Sequence, residues 1–452
     1  LDSGFTAAKT TFSWPFFSVA IALVSKATGL GLENAGYLLN ALFMAGACAL
    51  MVSCTSCKQS ELAWWICLIS LALPGLNEYR NELLREYGCW FFIMLSFWLA
   101  LHWSERPRWL TALTLQASLA AAALFRPEAL AMFPALIAWQ VLDAPKTTRW
   151  QRLLMLGGPP IACSVALIAL YLYGHLSTDD RLALELSRIN TSRFDTKAEV
   201  LASGLIEYAR GQARTILLWG SLALIPIKLI QKTGLFLIPL VFLACSGKAK
   251  ETIQRYPLFA WGIAAQLLVL CIFVTDLQFL AGRYVGLILL FATPIIGTGL
   301  WLMTRSYPRW KWLMVAIAVT FMLANVISTG PGKAHFVEAG QWLSRNATEP
   351  LKVYVDSGRT AFHAGWQKAE PEKRNERTAI EQLVAEAKFD LFVLEHSRKD
   401  QPIEDWLAQA GLRIVKRFDH PNGDAIIIAA PIAAPEQTPK NAPPTTGRTK
   451  EK

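Results

Sequence analysis

Residues 284–303 read YVGLILLFATPIIGTGLWLM, an unbroken run without one charged side chain. A helix rises about 1.5 Å per residue, so such a run reaches about 30 Å, the depth of a bilayer's hydrocarbon. Working outward, runs of the same kind recur over the first three quarters of the chain, at roughly 35–54, 62–77, 89–103, 110–125, 129–143, 153–174, 233–247, 257–275 and 312–328. Several are shorter than a full span and borrow flanking residues. The fold class expected is a polytopic α-helical membrane protein.

Composition agrees. Of 452 residues, 53% are hydrophobic and only 17% charged, below the quarter or so usual in soluble domains. Mean hydropathy is +0.32. Tryptophans sit where apolar runs meet charge (Trp64, Trp65, Trp90, Trp103, Trp109), the placement favoured at a membrane–water interface. The net charge of +10 comes mostly from Lys and Arg in short loops between apolar runs, so topology control explains it better than nucleic acid, and no nucleic-acid partner is expected. Most of the eight cysteines (Cys48, Cys67, Cys163, Cys245, Cys271) lie inside apolar runs and read as small buried hydrophobes. Cys54 and Cys57 form a C-x-x-C without the second pair that a zinc site needs.

The basic loops set an orientation. Lys58; Arg106 and Arg108; Lys146, Arg149 and Arg152; Lys248, Lys250 and Arg255; and Arg305, Arg309 and Lys311 fall in alternate loops, which marks them as cytoplasmic. Loops 78–88, 126–128, 175–213 and 276–283 then face outward, as does the C-terminal domain. Residues 214–230, RTILLWGSLALIPIKLI, are apolar enough to span, but counting them would reverse every later loop. They read instead as an interfacial or kinked helix on the outer side, with Lys228 and Lys232 reaching to headgroups.

Beyond about residue 330 the character changes. Four β-rich runs (351–356, 389–395, 412–417, 424–429) alternate with helix-like stretches at 334–346, 377–388 and 402–410. That pattern predicts a small α/β soluble domain over 331–430. A Pro-, Thr- and Lys-rich tail from 431 to 452 is expected to be disordered. His363, His396 and His420 lack ligand spacing, and VDSGRTAFHAG (355–365) is a weak phosphate-loop cue.

Three outward stretches carry candidate chemistry. LNEYRNELLREYGCW (76–90) packs Glu78, Arg80, Glu82, Arg85 and Glu86 between two spans; on a helix, Glu78, Glu82, Arg85 and Glu86 share a face. It reads either as a solvated loop or as a site where Arg holds phosphate and a carboxylate handles a proton or metal. ALFRPEAL (123–130) sets Arg126 and Glu128 at the outer end of a span, where charge is costly unless paired, functional or snorkelling. FLAGRYVGLILL (279–290) opens a span with Arg283 and Tyr284, which read as an interfacial anchor or a lipid-phosphate contact. The mixed charges of 175–213 (His175, Asp179, Asp180, Arg181, Glu185, Arg188, Arg193, Asp195) read as a solvated face.

Taken in order, TFSWPFFSVAIALVSKATGL (11–30), NAGYLLNALF (34–43), NEYRNELLREYGCWFF (77–92), ALFRPEAL and FLAGRYVGLILL resemble the polyprenyl-phosphate-sugar-dependent glycosyltransferases of the GT-C fold. The bacterial protein mannosyltransferase and aminoarabinose transferase superfamily is the nearest in pattern. The resemblance implies a GT-C-like domain over 1–330 in a bacterial inner (plasma) membrane, part of cell-envelope assembly, with the C-terminal domain periplasmic or extracellular. It implies a polyprenyl-phosphate sugar donor, a lipid, glycan or protein acceptor, and inverting attack by the acceptor hydroxyl on the anomeric carbon. By that resemblance Glu86, with Glu82 and Glu78 beside it, stands at the acidic catalytic position. Arg85, Arg80, Arg126, Arg283 and Tyr284 meet the lipid phosphate, and Glu128 lines the cavity. A divalent cation, Mg or Mn, is compatible.

The family pattern begins with a span and an acidic loop that are not seen here. The chain opens without Met on LDSGFTAAKTTFSWP, so it reads as N-terminally incomplete, with the principal carboxylate expected upstream of Leu1. Two other readings compete: a transporter or flippase of a lipid-linked substrate, and an assembly protein whose α/β domain binds a partner. Charge concentrated at one surface and the lack of an internal repeat favour the first over the transporter. The C-terminal domain is expected to cap the outer cavity or select the acceptor.

Overall fold

A computed structural model describes residues 14–55, 60–143, 145, 147–172, 192–327, 334–347, 352–366, 377–398, 400 and 402–432. The chain divides after Ser328 into a helical unit and a smaller unit containing a sheet. The stretches 1–13, 173–191 and 433–452, and Cys57, Lys58 and Lys146, lie outside the described residues. So do the readings made on them, including His175, Asp179, Asp180, Arg181, Glu185 and Arg188.

The helical unit runs α1 (Phe16–Thr28), α2 (Leu32–Thr55), α3 (Ser60–Ala72), α4 (Pro74–Asn77), α5 (Glu86–Glu105), α6 (Trp109–Phe125), α7 (Met132–Asp143), α8 (Arg149–Leu172), α9 (Ser192–Gly204), α10 (Glu207–Arg210) and α11 (Ala213–Thr233). It continues with α12 (Leu237–Cys245), α13 (Ala249–Arg255), α14 (Pro257–Leu277), α15 (Gly286–Ser306) and α16 (Lys311–Val326). Among the described residues four segments are long and apolar enough to cross a membrane: Leu32–Thr55, Ala213–Cys245, Pro257–Leu277 and Gly282–Ser306. The last is the quoted run, and it is the most buried of the four. It forms the centre of the unit, with Phe291 stacked on Phe97 at 5.0 Å between ring centroids and Phe259 edge-on to both.

The ends of these helices sort by contact. Glu86 at the start of α5 meets Arg126 at the end of α6 and Arg283 just before α15, which defines a site end. At the opposite end Arg305 pairs with Glu61, and the Arg152 guanidinium lies 5.9 Å from the Trp103 ring. Arg106, Arg108, Arg149 and Lys311, which bound helices reaching that same end, lie with them.

Three span expectations are corrected. The run at 233–247 is a short 3-10 turn, Gly234–Phe236, followed by nine helical residues, too few for an ordinary span. The runs at 62–77 and 129–143 contract to Ser60–Ala72 and Met132–Asp143 because Pro74 and the Arg126-Pro127 step break the helix.

The second unit is α17 (Ala334–Asn346), β1 (Val353–Val355), α18 (Gly358–His363), α19 (Arg377–Ala385), β2 (Leu391–His396), α20 (Glu404–Gln409), β3 (Leu412–Asp419) and β4 (Ala425–Pro431). The sheet order is β1-β2-β4-β3: β1 and β2 are parallel, and β4 runs antiparallel to both neighbours. The apolar runs of β2 and β4 are buried on both faces, as befits central strands, while β3 is exposed along its edge. Helix α18 falls where the sequence suggested only a phosphate-loop cue.

Candidate active site

The site begins with a proline. A residue before Pro avoids the helical region, and Arg126, preceding Pro127, is extended (φ −147°, ψ 114°). Helix α6 therefore ends at Phe125, and the Arg126 guanidinium turns onto α5. Its Nη1 donates to Glu86 Oε1 at 2.9 Å, and its Nη2 to Glu128 Oε1 at 3.0 Å. Glu128 sits in the 3-10 turn Pro127–Ala131. Glu86 is only 4% exposed, so the charge of this pair is withdrawn from water.

Burial works against the charge on Glu128, but the adjacent Arg126 guanidinium overrides it and holds the carboxyl down at about 2. The Arg85 guanidinium acts in the same direction from nearby.

The third member arrives from another helix. Helix α14 ends at Gln278 in the left-handed region (φ 52°), and the 3-10 turn Gly282–Val285 follows. This turn presses close because its glycines carry no Cβ. At Gly282 a Cβ would lie 2.3 Å from Lys232 Cε, and at Gly286 it would lie 2.5 Å from the Trp90 ring. The turn delivers Arg283 Nε to 3.5 Å from Glu86 Oε1, too far for an aligned hydrogen bond, so this is a charge contact. That Nε is buried and has no hydrogen-bond partner. Both guanidiniums lie over the Tyr284 ring, Arg126 at 4.8 Å and Arg283 at 5.3 Å from its centroid.

These groups line one small cleft, with a cavity volume of about 30 Å³. Its polar floor is Glu86, Arg126, Glu128 and Arg283; Trp90, Val269, Leu270, Phe273 and Leu287 form an apolar wall.

Five of the sequence-derived residues thus converge: Glu86, Arg126, Glu128, Arg283 and Tyr284. Arg85 stands next to them as the residue before α5. Glu78, Arg80 and Glu82 do not line the cleft. The shared helical face drawn for Glu78, Glu82, Arg85 and Glu86 is not formed, because 78–85 is a succession of turns between α4 and α5. Glu78 pairs instead with Lys232, so Lys232 does not reach out to headgroups as its sequence position suggested. The backbone carbonyl of Glu82 accepts from Asn40 Nδ2. Gln266 and Phe273 line the cleft without having been singled out; one polar or aromatic residue inside an apolar run carries no distinguishing signal.

A divalent cation does not fit. The cleft's two carboxylates are both committed to Arg126, and among the described residues no three His, Cys, Asp or Glu side chains are grouped to hold a metal.

In the second unit the His335 ring lies 4.9 Å from His420, a pair brought together by α17 and the β3–β4 turn. Burial and His420 lower the pKa of His335. The buried Asp356 accepts the backbone N–H of Glu395 at 2.9 Å, which ties the end of β1 to β2. His363 and His396 are not part of the histidine pair.

No protein-family model matches the chain, and no curated protein matches it either.

Proposed function

We propose that the helical unit is a membrane glycosyltransferase of GT-C type, which moves a sugar from a polyprenyl-phosphate carrier to an acceptor hydroxyl at the site end. The acceptor oxygen bonds to the anomeric carbon as the bond from that carbon to the phosphate oxygen breaks; the phosphate departs with that electron pair and takes up the proton released by the acceptor hydroxyl. Arg283 meets the departing phosphate. The observation that supports this is its buried Nε–H, which makes no hydrogen bond, on a residue that lines a cleft with an apolar wall. Arg126 is already satisfied by two carboxylates, so it holds the floor together.

Glu86 faces two guanidiniums, which makes it a positioning carboxylate. The test is transfer from radiolabelled polyprenyl-phosphate sugars by the full chain in liposomes. Transfer that falls at least about a hundredfold in Arg283→Gln supports the reading, in line with the loss of one preorganised donor at developing charge. Donor flipping without transfer supports the flippase reading instead.

A further inference from the structure

Helix α11 is long and apolar enough to span, but its contacts show both of its ends at the site end. At its start Arg214 pairs with Asp195 of α9, and α9 reaches the end of α14 through Lys197, which donates to the carbonyl of Asp276 and to Gln278. At its finish Lys232 pairs with Glu78, lies over the Tyr79 ring at 5.6 Å, and packs against Gly75 and Gly282. Glu78, Gln278 and Gly282 all belong to segments that adjoin the cleft's turn. A helix of this length held at one level at both ends runs across the bundle, not through it.

Its two faces differ sharply. Ala213, Ser221, Ile225 and Thr233 are buried, and Arg214, Lys228 and Lys232 share their side at helical period. The opposite face is Ile216, Trp219, Ala223, Ile227 and Ile230, wholly apolar and exposed, with Trp219 at 66%. No charged residue interrupts it. In water such a stripe would be an aggregation liability. An apolar stripe opposite a basic side, on a helix lying across one end of an apolar bundle, has the build of a helix that rests in the boundary between headgroups and acyl chains. The exposed tryptophan suits the same boundary.

We infer that α11 is a lipid-docking surface: it lies in the membrane plane at the site end, with Ile216, Trp219, Ala223, Ile227 and Ile230 dipped into the acyl boundary. Its C-terminal residues, through Lys232 against Gly282, abut the turn that carries Arg283, so the docked helix sets the depth at which that guanidinium meets the bilayer. This rests on the membrane character of the unit and is independent of the glycosyl-transfer reading.

The test uses the full chain in liposomes of phosphatidylethanolamine and phosphatidylglycerol. Nitroxides are placed singly at 216, 219, 223, 227 and 230 in a background freed of native cysteines, and depth is read from oxygen and nickel-chelate accessibility. All five should report one shallow depth. A progression of about 21 Å between 216 and 230, the rise of a spanning helix, overturns the inference. So does exclusion of both reagents from all five, which would mean that a second copy covers the face.

Should the cysteine-free background not fold, Ala223→Trp in the native chain gives the same answer. Its added fluorescence should be quenched more by bromine high on the acyl chain than by bromine near the chain end. The reverse order places residue 223 at mid-bilayer and overturns the inference. Neither readout requires a sugar donor.

Discussion

The two ends of the helical unit use the same residue types in opposite ways. At the site end, Arg126 and Glu86 pair with side chains only 14% and 6% exposed. At the opposite end, Arg305 and Glu61 pair with side chains 64% and 63% exposed. The sequence shows arginine and glutamate beside an apolar run in both places. The difference is solvent. A pair in water contributes about 0–1 kcal/mol. A buried pair contributes little net stability when whole, but removing one partner strands a charge and costs about 3–5 kcal/mol.

The sharpest way to break this comparison is Arg126→Gln, which strands Glu128 and leaves Glu86 with only its 3.5 Å contact to Arg283. Thermal unfolding in detergent should show a loss of about 3–5 kcal/mol, the largest effect expected of any substitution discussed. A loss below 1 kcal/mol would mean that water reaches the site. Next comes Gly75→Ala. A Cβ there would stand 2.2 Å from Leu289 and 3.0 Å from the Lys232 carbonyl, so backbone must move. The cost should be about 1–3 kcal/mol by the same measurement.

Acid sharpens the contrast further. Glu128 has an ordinary pKa of 4.5 and is held at about 2 in the folded chain. A lowered carboxyl pKa stabilises fully above the unfolded value, and the contribution fades as pH falls toward the folded one. Unfolding of the wild type should therefore become easier between pH 4.5 and 2, and Glu128→Gln should lose that part of the slope. The smallest effect is expected for Arg305→Gln at the opposite end. It forfeits an exposed pair and a guanidinium 4.2 Å from the Trp301 ring, about 1 kcal/mol at most.

Much of this was legible in the residues. Uncharged runs marked α2, α5, α6, α14, α15 and α16 because spanning demands them. Charge beside those runs marked Glu86, Arg126, Glu128, Arg283 and Tyr284, since such charge needs a partner. What could not be read was which partner. The Glu86–Arg126 contact joins positions 40 residues apart in sequence, and Lys232 with Glu78 joins positions 154 apart. Neither leaves a local signature.

Residues 78–85 misled because i,i+4 spacing presumes a helix, and the chain forms turns there. The stretch 214–230 was ambiguous by composition, and only the two contacts at the ends of α11 set its level. In the sheet unit the apolar runs marked β2 and β4, and both strands are buried on both faces.

The central claim is that the buried cluster at the site end receives a lipid phosphate and that the exposed pair at the other end does not. Native mass spectrometry of the full chain with polyprenyl phosphate tests it directly, comparing the wild type with Arg283→Gln and Arg305→Gln. Loss of one charge-assisted bond should weaken binding about tenfold to a hundredfold in Arg283→Gln and leave Arg305→Gln unchanged. Equal binding by all three, or a loss confined to Arg305→Gln, would contradict the account.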